Sequence, residues 1–547
     1  MIKEDILLIA IQLLYCVLLF ILASIAEKFM SSKWRLFYIL PSVVCLFMMA
    51  YAGFEKSLIG VYIGSALLLV GLFRPKKLPR RIVSAVSAFL AVSGLVTSNV
   101  NPSYRSADYL ADFKKGFSAM KERYILAEHK GIDWNALYDK YEPMFAEAAE
   151  FHDTEQNFLA WTKFCAEFHD AHTSFYPEDY SLAEQVIRNH SGKDYGLVLL
   201  SYTDGRTVAV NVDESLNELG IHNGTVVTSW NGISPEEANK QSECFELYSF
   251  PDDDNAYFYR TMWAAGTGGK GKAEVTFIDD NGTEQTVSLS SIGKYYDRLE
   301  DALDTLNQGI KAANVSWNEM NDTTACLRIK MMMFDGQSAH DDDYTGMKDE
   351  LRKKVLELKQ QGIEDIVIDI RSNGGGSGTL IMSIAELFAP EGKHYYCNDG
   401  VWDSQRHCYK KSDDGKFLLG EKHTFMGENL LGDGHIVLLV NSSSVSAADH
   451  MTKVMNDMEN VTVMGFTEPC GSAQGVSSIE LESGMISISA SLMLDSDGNI
   501  FIDSGADGQS GNTLDIQVPF NETAVKSLYD DNEDYLMKKA EEFLANK

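Results

Sequence analysis

Two segments of the chain carry residue types that could together perform acyl transfer. Ser446 follows an apolar, strand-like run at 436–440 and precedes a helical pattern at 447–458, while Gly374–Gly376 follows a second such run at 366–370. A serine at a strand-to-helix turn exposes its hydroxyl beside the N–H groups of the helix, and glycines let bare backbone approach a substrate carbonyl. The pattern indicates a nucleophile and an oxyanion pocket, although each turn alone also suits an ordinary α/β protein.

A serine nucleophile needs a base, which in proteins is commonly a lysine or a histidine. Lys453 is the only lysine between Ser446 and Lys526, and it lies seven residues into the helix, roughly 10 Å along its axis. The spacing therefore disfavours a Ser–Lys pair. Histidine candidates are His172, in the short polar loop Asp-Ala-His-Thr, its neighbour His169, and His450, although a single histidine is commonly structural.

Charge and composition exclude several functions. The 547 residues carry a net charge of −32, which divides into +6 for residues 1–100 and −38 for the remainder. An acidic body of this kind argues against nucleic acid as a partner, because phosphates require Lys and Arg patches. No metal-ligand spacing or phosphate-binding loop is visible, so we expect no cofactor and no metal. The length predicts two to four domains.

The N-terminal region has the pattern of a membrane module. Four apolar runs, at 6–26, 36–52, 58–73 and 82–100, each approach the ~17–25 residues that span a bilayer. The first and third intervening loops are rich in Lys and Arg, and the second is not. Positive loops stay in the cytoplasm, so we expect a multi-pass cell-membrane protein whose body, after residues 1–103, is extracytoplasmic.

The body divides into three predicted domains. Residues 104–190 show helical spacing of aromatic residues and form a helical cap that carries His172, residues 191–295 are rich in short strands, and residues 296–547 alternate strands and helices as an α/β core. Within the second domain, a short helix at 214–219 leads through a glycine turn to a strand ending in Asn-Gly, which resembles a PDZ domain. A small β-domain without a ligand is the alternative.

Cysteine spacing leaves one question open. Cys397 and Cys408 are close in sequence, with a turn-forming Asn-Asp-Gly between them, and could pair across a hairpin in an oxidising compartment. Reduced thiols are the equal alternative.

Taken in order, these segments resemble the C-terminal processing (tail-specific) serine peptidase family over about residues 104–520. The resemblance is carried by Ile132-Asp-Trp134, Asp170-Ala-His-Thr173, the PDZ-like insert, Asp369-Ile-Arg-Ser-Asn-Gly-Gly-Gly376 and Ser444-Val-Ser-Ala-Ala-Asp449. The glycine-rich stretch 465–475 lacks the lysine of one branch, so the chain is similar to the tricorn-like Ser-His-acid branch. The resemblance implies a ClpP/crotonase-like α/β catalytic core with a helical cap and a PDZ-like β domain.

The same resemblance implies roles for individual residues. Ser446 would be the nucleophile and His172 its base, while Gly375 and Ala447 would form the oxyanion hole, with Gly374 and Gly376 as alternative donors to Gly375. The acid would be Asp503, where the family has a glutamate, with Asp507 as the alternative. The implied function is a membrane-anchored serine endopeptidase that cleaves polypeptides outside the cytoplasm. A catalytically inactive relative, serving as a peptide- or ligand-binding receptor or scaffold, is the alternative; oligomeric state cannot be read from this pattern.

Overall fold

A computed structural model describes residues 108–242, 253–266, 271–308, 313–333, 345–406, 408–506 and 511–547. The four predicted membrane spans and the domain boundary at residue 103 lie outside the described residues. Within the described ranges, no helix combines the length and the apolar character needed to cross a bilayer.

Aromatic residues at helical spacing build the core of the cap. Phe113, Phe117 and Met120 are buried on the first helix, and the Phe113 ring stacks on Phe145 of the second with centroids 4.4 Å apart. Asp133 caps the second helix by accepting the N–H of Ala136 over 3.1 Å. The cap comprises α1 (Tyr109–Arg123), α2 (Trp134–Phe151), α3 (Thr154–Ala166), strand β1 (Ser174–Pro177) and α4 (Tyr180–His190).

Short antiparallel strands dominate the next segment, as the sequence predicts. β5 (Val227–Trp230), β6 (Lys272–Ile278) and β7 (Glu284–Ser290) form one sheet in that order, and β3 (Val198–Ser201) and β4 (Thr207–Val210) form a hairpin. A 3₁₀ turn at Glu214–Leu219 ends at Gly220, whose φ of +81° suits glycine. The elements are β2 (Lys193–Asp194), β3 (Val198–Ser201), β4 (Thr207–Val210), β5 (Val227–Trp230), α5 (Pro235–Gln241), α6 (Asp253–Ala264), β6 (Lys272–Ile278), β7 (Glu284–Ser290), β8 (Gly293–Lys294) and α7 (Tyr295–Leu306).

Strands and helices alternate through the rest of the chain and make a mixed α/β fold. The elements are β9 (Val315–Glu319), β10 (Thr324–Ile329), α8 (Thr345–Gln360), β11 (Asp365–Asp369), α9 (Gly378–Phe388), β12 (Gly392–Gly400), β13 (Trp402–Asp403), β14 (Cys408–Tyr409), β15 (Leu419–Gly427), β16 (Ile436–Leu439), α10 (Ala447–Asn456), β17 (Val461–Gly465), β18 (Gly475–Glu480), β19 (Gly484–Ser491), β20 (Met493–Leu494), β21 (Ile516–Gln517), α11 (Glu522–Val525) and α12 (Tyr535–Ala545).

The main sheet of this core has the order β21-β17-β16-β11-β10-β9. All neighbouring pairs are parallel except β9–β10, so the carboxyl ends of β11 and β16 lie at the same edge of the sheet. Ile366 and Ile368 pack in one apolar cluster with α9 and α10, while Val367 packs in the cluster on the other face. Both faces of the main sheet are covered, which explains why these strands are continuous apolar runs in the sequence.

Two cysteines that the sequence left undecided are free thiols. Cys397 is buried and Cys408 is exposed, and they form no disulfide. The domain boundaries at 190 and 295 and the PDZ assignment of the second segment stay predictions.

Candidate active site

Ser446 stands at the turn between the main sheet and α10. Its backbone has φ +61° and ψ −115°, a conformation that non-glycine residues rarely adopt. Strained backbone of this kind persists only where the surroundings fix it, and it clusters at functional sites. The side chain is partly exposed, while Ala447 and Ala448 behind it are buried.

The carboxyl of Asp449 holds this turn in place. Its Oδ2 accepts the N–H of Ser446 over 3.1 Å and that of Ser472 over 3.3 Å, and its Oδ1 accepts the N–H of Gly471 over 2.9 Å and the side-chain amide of Asn512 over 3.1 Å. Burial raises the pKa of Asp449 to about 8, although these donors favour the charged form. The nucleophile turn is therefore tied to the 471–472 segment.

Gly375 lies directly against Ser446. A Cβ at Gly375 would lie 2.7 Å from the Cβ of Ser446 and 3.2 Å from its Oγ, and Gly375 has φ +97°. Only glycine fits such a position without displacing its neighbour. The N–H of Gly375 donates to Asn373 Oδ1 over 2.9 Å, so this donor is engaged in the structure. Ala447 is the first residue of α10, where a backbone N–H has no carbonyl partner within the helix.

His172 lies in a loop between α3 and β1 that Asp170 organises. Asp170 Oδ1 accepts the N–H of His172 over 2.9 Å, and Oδ2 accepts the hydroxyl of Thr173 over 3.0 Å. Burial lowers the pKa of His172, opposed by the charge of Asp170 and a backbone hydrogen bond at Gln474. Nδ1 of the ring is buried without a hydrogen-bond partner. The imidazole is thus kept neutral, as a general base must be.

Asp503 is buried against the Ala473–Gln474 segment, which His172 also contacts. Its Oδ2 accepts the N–H of Ala473 over 2.9 Å and the side-chain amide of Gln474 over 3.0 Å. Its Oδ1 has no hydrogen-bond partner. Burial raises the pKa of Asp503, and the charge of Asp170 raises it further. The alternative acid, Asp507, lies outside the described residues.

Two other candidate bases, His450 and Lys453, contact groups other than Ser446. His450 is hydrogen-bonded at both ring nitrogens, by Nδ1 to the hydroxyl of Tyr396 over 2.6 Å and by Nε2 to the carbonyl of Ala473 over 2.7 Å. Burial lowers its pKa to about 4. Lys453 Nζ lies 3.6 Å from the carboxylate of Asp457, one turn along α10. Neither side chain is directed to Ser446 by these contacts.

Several residues that shape this region have no signal in sequence periodicity. Asn373 fixes the glycine turn by donating to Ile329 O over 2.7 Å, and Ser472 bonds both the serine turn and the histidine loop. Lys130, in the cap, is buried and reaches the residue next to Asp503. Only Asn373 could have been suspected, as the polar residue that precedes the glycines. Among the described residues, no group of three or more His, Cys, Asp or Glu is placed to hold a metal ion.

Two parts of the chain match models of known protein families. Residues 323–509 match the model of peptidase family S41, and residues 105–154 match the tricorn protease C1 domain. Residues 323–509, called the S41 domain below, are therefore similar to the serine peptidases of family S41. This S41 domain contains Ser446, Gly375 and Asp503, whereas His172 lies outside it, between the two matched regions.

Relatives of the S41 domain are distant in sequence. The tail-specific protease of Haemophilus influenzae is 24% identical over 122 residues, which cover 22% of this chain and 15% of that protein. The alignment therefore spans only a small part of the curated relative. Mature CPAF is similar in fold, with a TM-score of 0.53 at 13% identity, covering 80% of this chain and 98% of that one. Mature CPAF complexed with lactacystin has a TM-score of 0.52 at 13% identity, with 80% and 99% covered.

Proposed function

We propose that this chain is a membrane-anchored serine endopeptidase that hydrolyses polypeptides outside the cytoplasm, with Ser446 as nucleophile, His172 as base and Asp503 as the orienting acid. The S41 domain supports the peptide-hydrolysing chemistry. Residues 1–103 supply the proposed anchor, from their apolar runs alone.

Ser472 is the observation that carries the pairing of Ser446 with His172. Its carbonyl accepts the N–H of Ser446 over 3.0 Å, and its hydroxyl accepts the N–H of Ala171 over 2.9 Å and donates to Asp170 over 3.2 Å. One buried residue thus bonds both the nucleophile turn and the loop of the histidine. This shared contact supports the proposal that the side chains of Ser446 and His172 lie close enough for proton transfer, although the two residues are 274 positions apart in the sequence.

Two unpartnered atoms support Asp503 as the acid. His172 Nδ1 and Asp503 Oδ1 are both buried without hydrogen-bond partners, and both residues contact the Ala473–Gln474 segment. A donor and an acceptor that are each costly to leave unsatisfied would be satisfied by one bond between them. That bond would fix the imidazole tautomer and stabilise the imidazolium.

The reaction that follows is acyl transfer. His172 takes the hydroxyl proton of Ser446 as Oγ attacks the peptide carbonyl, then gives that proton to the leaving amine, and water releases the acyl group by the same steps in reverse. The N–H groups of Ala447 and Gly375 would hold the oxyanion. Gly375 would have to exchange its bond to Asn373 Oδ1 for one to the substrate oxygen.

A fluorophosphonate probe tests the proposal directly. The unaltered chain should be labelled once, Ser446→Ala should abolish labelling, and His172→Ala should slow it by about a thousandfold or more. Ser443→Ala is the matched control, since this serine lies three residues earlier and hydrogen-bonds Tyr259. Lactacystin, which forms a complex with mature CPAF, is a second probe. A folded chain that resists both reagents would reject the peptidase and favour the inactive, ligand-binding relative.

The proposed location has a separate test. Protease added to intact cells should remove epitopes placed after residue 108, because the charge asymmetry of the N-terminal loops directs the body outward. Complete protection of these epitopes, with cleavage only after the membrane is permeabilised, would reverse the topology and leave the peptidase proposal untouched.

A further inference from the structure

Lys130 is a lysine whose charged end is inside the protein. It lies in the turn between α1 and α2, and its residue is only 9% exposed. Lysine is almost never buried unless its ammonium group is paired. The Nζ atom donates to the carbonyl of His169 over 2.6 Å and to the hydroxyl of Ser504 over 3.0 Å.

These two bonds join the loops that carry the proposed base and acid. His169 lies three residues before His172, and Ser504 directly follows Asp503. The neighbouring residue strengthens the same junction, since His129 Nε2 lies 3.1 Å from the carbonyl of Asp503. One turn of the cap therefore holds two catalytic loops that come from opposite ends of the body.

The ammonium group also stands among acidic side chains. Burial and the charge of Asp170 raise the pKa of Asp503, and the charge of Lys130 opposes that rise. Burial also acts to raise the pKa of Asp170, but the charges of His172 and Lys130 bring it below its ordinary value. Tyr124 and the thiol of Cys470 interact electrostatically with both carboxyls, and His172 interacts with that of Asp170. Two like charges buried together are unfavourable unless a cation accompanies them. Among these groups Lys130 is the one whose ammonium group is hydrogen-bonded to both the histidine loop and the Asp503 loop.

We propose that Lys130 is a positioning residue for the peptidase reaction: its ammonium group fixes the histidine loop against the Asp503 loop and places a positive charge near the buried carboxyls of Asp170 and Asp503. This inference rests on the proposed function. The lysine is not a base for Ser446, because its two hydrogen bonds go to His169 and Ser504.

The test compares Lys130→Met, which keeps length and burial, with Lys130→Arg, which keeps the charge. The second-order rate constant of fluorophosphonate labelling is measured as a function of pH. The fraction of protein labelled at completion reports how many molecules have a folded active site. In Lys130→Met, the acid limb of the rate should move upward by about one pH unit or more, which is about a tenfold loss of rate below that limb. Lys130→Arg should stay near the original limb. Lys140→Met is the matched control, because Lys140 pairs with Glu167 at the surface of the cap.

A merely structural lysine would give a different result. It would lower the final labelled fraction of Lys130→Met while leaving the rate per labelled site and the pH midpoint unchanged, and that outcome overturns the inference. If Lys130→Arg is too large to fold, Lys130→Ala with added propylammonium is used instead. Recovery with the ammonium and not with butanol supports the inference, and equal recovery with both rejects it. Failure of the unaltered chain to label would reject the proposed function itself.

Discussion

Substituting alanine for Gly375 is the most direct perturbation of the proposed nucleophile. The added Cβ would lie 2.7 Å from the Cβ of Ser446 and 3.0 Å from the carbonyl of Val445, on a backbone with φ +97°. These neighbours are backbone or the first side-chain atom of a strained residue, so no flexible chain end can move aside. Gly375→Ala must therefore displace the serine turn or the glycine turn.

The size of the effect follows from that overlap. Ordinary contacts begin near 3.4 Å, so the two Cβ atoms must separate by at least about 0.7 Å. A displacement approaching 1 Å between reacting groups costs about a hundredfold in rate. An alanine in left-handed backbone costs about 1–3 kcal/mol of folding free energy, which in a body of this length would lower the melting temperature by roughly 1–3 °C. The rate should fall much more than stability.

Gly374→Ala is the matched control for this experiment. A Cβ at Gly374 meets nothing within 4 Å, and its φ lies outside the left-handed region. Fluorophosphonate labelling rates and thermal melting are measured for both variants beside the unaltered chain. Gly374→Ala should behave like the unaltered chain in both assays. Labelling of Gly375→Ala at the unaltered rate would refute the reasoning, because the nucleophile would then tolerate the displacement.

Three further expectations concern other parts of the body. Lys453→Ala should change the labelling rate by no more than about fivefold, since its exposed ion pair contributes at most about 1 kcal/mol; complete inactivation would favour a Ser–Lys dyad instead. The raised pKa of Asp449, about 8, means that the folded chain keeps a proton that the unfolded chain releases above about pH 4, so stability falls as pH rises between these values. Asp449→Asn should flatten that decline in melting temperature, and an equally steep decline would contradict it. Deleting residues 195–292 should slow turnover of long polypeptides more than that of a small activated ester, because we expect a PDZ-like segment to recruit extended peptides at its sheet edge; equal losses would reject recruitment.

The strands and helices of the core could be predicted because their buried apolar residues follow a local pattern. The strands are continuous apolar runs, and the helices show helical spacing. The run at Ile366–Ile370 became β11 at Asp365–Asp369, and the helical pattern after Ser446 became α10. The capping of α2 by Asp133 is equally local, because its carboxyl accepts the N–H groups two and three residues further along the chain. In each case the signal lies within a few residues of the element that it specifies.

The contacts that assemble the site have no such local signal. Lys130 and Ser504 are 374 positions apart, and Ser472 and Ala171 are 301 apart. No spacing rule links residues at these separations, because loop geometry and core packing decide which of them meet. The hydrogen bond from the Gly375 N–H to Asn373 Oδ1 could not be predicted either. A glycine-rich stretch indicates a flexible backbone, but it does not indicate which acceptor each N–H will bind.

An aspartate where the family has a glutamate can still serve as the acid if its backbone lies closer to the histidine. Contacts hold the Asp503 loop on both sides: Ser504 bonds Lys130, the carbonyl of Asp503 lies 3.1 Å from His129, and Oδ2 is fixed by Ala473 and Gln474. With one oxygen fixed, the direction of Oδ1 is set by these bonds as well as by the length of the side chain. The missing methylene therefore does not by itself reject the proposed role of Asp503, which depends on these contacts and among them on the cap turn at 129–130.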